Sequence, residues 1–178
     1  MPVIVQDAPA WTGVPLPVDL LVSLAAEAPN AAYAKVEAPP AGAKIRALRQ
    51  QGVHVIDGYG ALHVVEDLAA GIEAVMPGCA LPGLSLRLWR AHTAGDAVLL
   101  WDEFARALPL LSFQMSSLDT FVAVQKTLMQ QAGVLASSRL RRPGRQLTDH
   151  QSSWLGELMT RAEARRYLGA PNVAAQAT

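Results

Sequence analysis

The sequence predicts an α/β fold, a parallel sheet covered by helices and followed by a helical C-terminal region. Three observations predict it. Short apolar segments alternate with amphipathic ones through the first half, at roughly the 20–30-residue period of a βα unit. The second half changes character and reads as three helices in succession. Finally, 51% of the 178 residues are apolar and only 17% are charged, which supplies a substantial core.

The elements follow in order. The run "VIVQ" (3–6) is a strand, and "APAWTGVPLP" after it is an irregular loop rich in Pro and Gly. Leucines at 20, 21 and 24 give 18–28 helical periodicity. "AAYAKV" (31–36) is the second strand, and the helix over 41–51 is stopped by Gly52. "VHVID" (53–57) is the third strand, with a helix over 60–71 again ended by glycine. "EAVMPG" (73–78) is the fourth strand and 81–95 the fourth helix. Residues 96–113, 117–133 and 147–168 form the helical region, with Asp96 and either Thr148 or Asp149 as N-caps. The pattern divides the chain into 1–95, 96–168 and a flexible tail, 169–178, of small and polar residues.

Composition excludes several classes. With 15 basic and 15 acidic residues the chain carries no surplus charge for nucleic acid or an anionic membrane. Its single cysteine, Cys79, rules out an internal disulfide and suits a reducing cytoplasm. No signal peptide or membrane span is expected, because Pro, Gly or a charge interrupts each apolar run. An open doubly wound sheet is the first expectation from periodicity, yet neither G-x-G-x-x-G nor a P-loop motif occurs. The nearest glycine cluster, "DGYGALH" (57–63), lacks a third glycine. His54, His63, His92, His150 and Cys79 lack zinc-ligand spacing, and no G-x-S-x-G elbow is present. Trp89, Trp101 and Trp154 read as packing or interface residues, and Arg139, Arg141, Arg142 and Arg145 as a solvated loop. Trp11 differs, because it follows the first strand on the side where parallel sheets place their sites.

Lys35, in "AAYAKVEAPP", is the residue that calls for an explanation. Lysine is depleted in buried strands because removing its ammonium from water is costly. One reading pairs it with a nearby acid, Glu37 or Asp57. The other makes it chemistry: at the carboxyl end of a parallel strand, in an apolar pocket, the ammonium is disfavoured and the neutral amine attacks carbonyls.

The order of segments resembles the C-terminal half of the dihydrodipicolinate synthase/N-acetylneuraminate lyase family of (β/α)8 barrels. The likeness runs from "PVIVQDAPAWTG" to about residue 168. "YAKVEAPP" is similar to the Schiff-base strand, G-[IVF]-K-x-[ES], and "GIEAVMPGCALPG" to the eighth strand. The resemblance implies a partial TIM barrel, apparent strands 5–8 with their helices, followed by a three-helix extension. It places Lys35 as the imine-forming residue, with Gln6, Trp11, Gly58 and Met76 lining the substrate site, Met76 beside the bound 2-oxo acid. The implied activity is a class I lyase or aldolase working without a metal or cofactor.

Two departures refine that expectation. Gln6 stands where relatives often carry a proton-relaying tyrosine, and glutamine does not titrate. Trp11 stands where the synthase subgroup carries a carboxylate-binding arginine, which points to a less anionic sugar-acid or hydroxy-oxo-acid substrate. A complete barrel takes about 250 residues, and strands one to four, with the G-T-T-G-E segment, have no counterpart here. Four strands leave two edges and an apolar inner face open. The expectation is therefore a homo-oligomer, a complementary N-terminal half-barrel or a truncated chain, with a silent half-barrel as the competing reading.

Overall fold

The computed structural model describes residues 1–168, and the tail expected over 169–178 lies outside the described residues. Compactness divides the chain after Pro77, whereas the sequence pattern divides it after residue 95.

In the first unit, β1 (Ile4–Asp7), β2 (Tyr33–Val36), β3 (His54–Asp57) and β4 (Ala74–Val75) form one parallel sheet in the order β1-β2-β3-β4. Strands that neighbour one another in chain order have no switch point, so the doubly wound expectation is corrected in favour of part of a barrel. The connections carry α1 (Pro9–Thr12), α2 (Val18–Glu27), α3 (Gly42–Gln50) and α4 (Val64–Ala70).

Side chains alternate across the strands. Ala34, Val36 and Val55 are buried together with Ile45 and Leu48 of α3 and Val64 and Leu68 of α4. Each fully buried aliphatic side chain contributes ~2 kcal/mol to the fold. On β2 the opposite face carries Tyr33, 42% exposed, and Lys35.

Several boundaries differ from expectation for local reasons. The loop after β1 contains α1, because Pro9 starts a turn and Gly13, at φ 72°, ends it. Helix α4 begins at Val64 rather than residue 60, since Gly60 and Ala61 hold φ near +60°. The fourth strand shrinks to two residues before Pro77. Gly52 and Gly71 occupy left-handed positions past α3 and α4, as the sequence predicts.

The second unit is helical: α5 (Pro82–Thr93), α6 (Ala97–Gln114), α7 (Leu118–Gln131) and α8 (Asp149–Arg161). Asp96 caps α6 by accepting from Leu99 N at 2.9 Å. Thr148, not Asp149, caps α8, in a reciprocal box with Gln151. The helix expected to reach 168 stops at Arg161, and a 3-10 turn, Ala164–Tyr167, follows Glu163 at φ 48°. Glu103 of α6 accepts from Arg87 (2.7 Å), Arg166 (3.1 Å) and the buried Tyr167 hydroxyl (2.6 Å), which fastens that turn. The arginines around Pro143 are exposed on a loop. No single helix among the described residues is long and apolar enough to cross a membrane.

Candidate functional site

The site is built on the carboxyl end of β2. Alternation puts Lys35 on the face opposite Ala34 and Val36, and the parallel register sets it between Gln6 of β1 and Ile56 of β3. Glu37, two residues on, shares that face, and its amide is fixed by donating to Asp7 O at 2.7 Å. Lys35 Nζ and Glu37 Oε1 are 2.7 Å apart, with side chains 15% and 8% exposed.

Two further donors converge on the same carboxylate. Gln6 Nε2 donates to Glu37 Oε1 at 3.0 Å, and Trp11 Nε1 to Oε2 at 3.1 Å. Glu37 is thus held in one orientation by an ammonium, an amide and an indole. Gly58, after β3, completes the floor. A Cβ there would stand 2.3 Å from Lys35 Cε and 2.7 Å from Glu37 Oε1, so no larger residue fits without moving the lysine. Tyr59 stacks between Trp11 (6.4 Å) and His63 (5.8 Å), forming an aromatic wall.

The helix-facing side of the same strand ends carries two buried aspartates, Asp7 and Asp57, both in register with Val36. Asp7 accepts from Lys44 of α3 at 2.5 Å and from Leu16 N at 3.0 Å; Lys44 also donates to Leu16 O. That ion pair anchors the loop bearing Trp11. Asp57 instead meets Asp67 of α4, across a side-chain hydrogen bond, and accepts from Tyr59 N at 3.3 Å. Burial raises the Asp57 carboxyl above its ordinary value, and Glu37 adds to the rise. Asp67 is pushed up to about 8, by burial first and by the Asp57 charge second.

The structure therefore gathers Lys35, Gln6, Trp11 and Gly58 around one carboxylate. Met76 lies just past β4, where its amide donates to Asp57 O (2.8 Å) and its side chain is 44% exposed. The expected apolar pocket is corrected: the ammonium of Lys35 sits against Glu37. Of the two acids weighed for that ion pair, Glu37 forms it. The i, i+2 spacing on a strand carries that signal. The place of Asp67, and of Tyr59 and His63 as one aromatic wall, is not legible in the sequence, since only the β3–α4 turn brings them here. Among the described residues no group of His, Cys, Asp or Glu could hold a metal ion.

No protein-family profile matches the chain. Over 150 residues it is 35% identical to L-2-keto-3-deoxyarabonate dehydratase of Azospirillum brasilense, a match covering 80% of the chain and 47% of that protein. It superposes on dihydrodipicolinate synthase from Aquifex aeolicus with a TM-score of 0.81 and 20% identity, over 94% of the chain and 57% of the other. YagE of E. coli K12, described as a prophage protein of the dihydrodipicolinic acid synthase family and solved with pyruvate, gives 0.78 and 21%, over 92% and 57%. The chain spans about half the length of the curated relative it matches.

Proposed function

Because the chain belongs to the dihydrodipicolinate synthase family, we propose that Lys35 forms a Schiff base with the keto carbon of a 2-oxo acid. The observation that carries this reading is the carboxylate of Glu37, 2.7 Å from the amine and pinned by Gln6 and Trp11. A lone strand lysine has no acceptor for its proton; this one has a fixed acceptor at hydrogen-bonding distance.

Glu37 takes a proton from the ammonium, and the freed amine adds to the keto carbon. Glu37 returns that proton to the carbinolamine hydroxyl, which leaves as water, and the protonated imine that remains withdraws electrons from the neighbouring carbon. Glu37, again a carboxylate, removes a proton from that carbon, and an enamine forms. When the next carbon carries a hydroxyl, the enamine expels it, and the proton on Glu37 leaves with it as water. Hydrolysis of the remaining imine returns Lys35 and the dehydrated oxo acid. Glu37 thereby fills the titrating role that Gln6 cannot. Dehydration of a 3-deoxy-2-oxo sugar acid is the form of this chemistry that the name of the Azospirillum relative supports. Trp11, whose N–H is committed to Glu37, presents a ring rather than a cation to the substrate, which suits hydroxyls better than a second carboxylate.

The edges of the sheet bear on the active form. Among the described residues β1 and β4 each have a strand on one side only, and Ile4 of β1 and Met76 just past β4 are 43% and 44% exposed. Further strands, from a second copy or from a complementary half-barrel, would close the site and supply donors for the oxo-acid carboxylate.

Borohydride reduction in the presence of pyruvate, followed by peptide mass spectrometry, tests the reading. The expected result is an adduct on Lys35 that Lys35→Ala lacks. A folded chain, alone and with a complementary half, that gives no adduct with pyruvate or 3-deoxy-2-oxo sugar acids would overturn it. In that case the competing reading, a silent half-barrel acting through assembly, stands.

A further inference from the structure

Asp7 of β1 and Asp57 of β3 occupy equivalent places on either side of Val36, and only one of them meets a cation. Asp7 has Lys44. Asp57 has Asp67, and both are sealed from solvent at 0% and 1% exposure. As two anions they would leave Asp57 Oδ2 and Asp67 Oδ1 buried without a donor, an arrangement that costs far more than a lost hydrogen bond. The charged and titratable groups around the pair do not supply that donor. Glu37, just past β2, and Glu66 of α4 are themselves acidic. Lys44 of α3 is engaged by Asp7, and Arg49 of α3 by Glu73 and Val53 O. His63, at the start of α4, stacks on Tyr59.

We propose that Asp57 and Asp67 share a single proton, and that this buried acid pair is the positioning device that holds the Gly58–His63 loop against Lys35. A proton carried by Asp67 supplies the missing donor. Asp57 keeps its other oxygen for the Tyr59 amide, so the loop is clamped from the helix side. Through that clamp Gly58 abuts the Lys35 stem, and Tyr59 reaches Trp11. Neither aspartate touches the reacting atoms; both act through the loop. Withdrawal of the shared proton sets two buried anions side by side and releases it.

The pairing stands on two sealed carboxylates with an unpartnered oxygen each, whereas its effect on chemistry rests on the Schiff-base reading, and two measurements keep them apart. Infrared difference spectroscopy of the 178-residue chain is expected to show a buried carboxylic-acid band at pH 6 that disappears above about pH 9, and Asp67→Asn is expected to lack it. A folded wild type with no such band at pH 6 overturns the pairing. Hydrogen exchange of residues 58–63, corrected for its intrinsic pH dependence, reads the clamp. Protection in the wild type should fall at least tenfold as pH passes about 8 and stay level in Asp67→Asn, whose amide still donates to Asp57. Protection that ignores pH in the wild type overturns the clamp. Both wild-type titrations stand if the variant fails to fold, and neither depends on any adduct at Lys35.

Discussion

Lys35 of β2 and Glu37, just past the end of that strand, lie two residues apart on one face, with Nζ and Oε1 2.7 Å apart and an amide and an indole holding the carboxylate. A merely structural ion pair at a strand end needs no such bracing. Removing the charge while keeping the shape separates the two roles. Glu37→Gln should leave the fold intact and slow turnover by about 10²–10⁴-fold, the range of a lost general base. Steady-state kinetics beside thermal unfolding will tell; full activity in the variant defeats the assignment.

Gly58 tests the packing of the lysine itself. Alanine there would place a Cβ 2.3 Å from Lys35 Cε, forcing the side chain away from its carboxylate. A displacement of that size costs about 10²-fold in a reaction that needs near-attack geometry. The borohydride adduct should fall accordingly, while circular dichroism stays unchanged.

Lys44→Ala addresses the loop that carries Trp11. It strips the buried Asp7 carboxylate of its cation, and breaking a buried pair from one side costs about 3–5 kcal/mol. Chemical denaturation should show that loss. Asp7→Asn together with Lys44→Met, which leaves no charge behind, should recover a good part of it.

Stability should also depend on pH through Asp67. Its carboxyl rises from an ordinary 3.8 to about 8 on folding, so the folded state holds a proton that the unfolded chain releases. The contribution is complete below about pH 4, shrinks as the pH climbs, and is gone past about 8. Asp57, raised in the same direction, belongs to the same pair and shares that one proton. Denaturation midpoints measured between pH 5 and 9 should therefore decline in the wild type and flatten in Asp67→Asn.

In the helical unit, Tyr167→Phe removes a hydroxyl that donates to the Glu103 carboxylate at 2.6 Å. A hydrogen bond to a charged group contributes about 1.5–3 kcal/mol, and the melting temperature should drop to match. Burial works to raise Glu103, but its bonds to Arg87 and Tyr167 outweigh that and leave it below the ordinary value.

How much of this the sequence discloses varies with the range of the interaction. The four strands, the glycine stops after α3 and α4 and the Asp96 cap are local, and residues near each position declare them. Lys35 is conspicuous because a lysine in an apolar strand has few ordinary explanations, and Glu37 shares its face by simple alternation. What the residues alone do not declare is that Gln6 and Trp11 turn onto that carboxylate, since β1 and β2 pair across the intervening α1 and α2. Asp67 is hidden for the same reason: in a sequence it is one more acid on a helix. Even α1 escapes notice, because Pro9 and Gly13 read as loop while together framing a turn.

The chain-order sequence of strands has a consequence for how the molecule forms. Each pairing in the sheet joins a strand to the next one along the chain, and the bond from Gln6 to Glu37 closes a separation of 31 residues. Contacts of modest separation lower the entropic barrier to folding and raise its rate. The wall that carries Lys35 is thus a candidate folding nucleus, able to condense from β1 and β2 before any further strand docks on its edges.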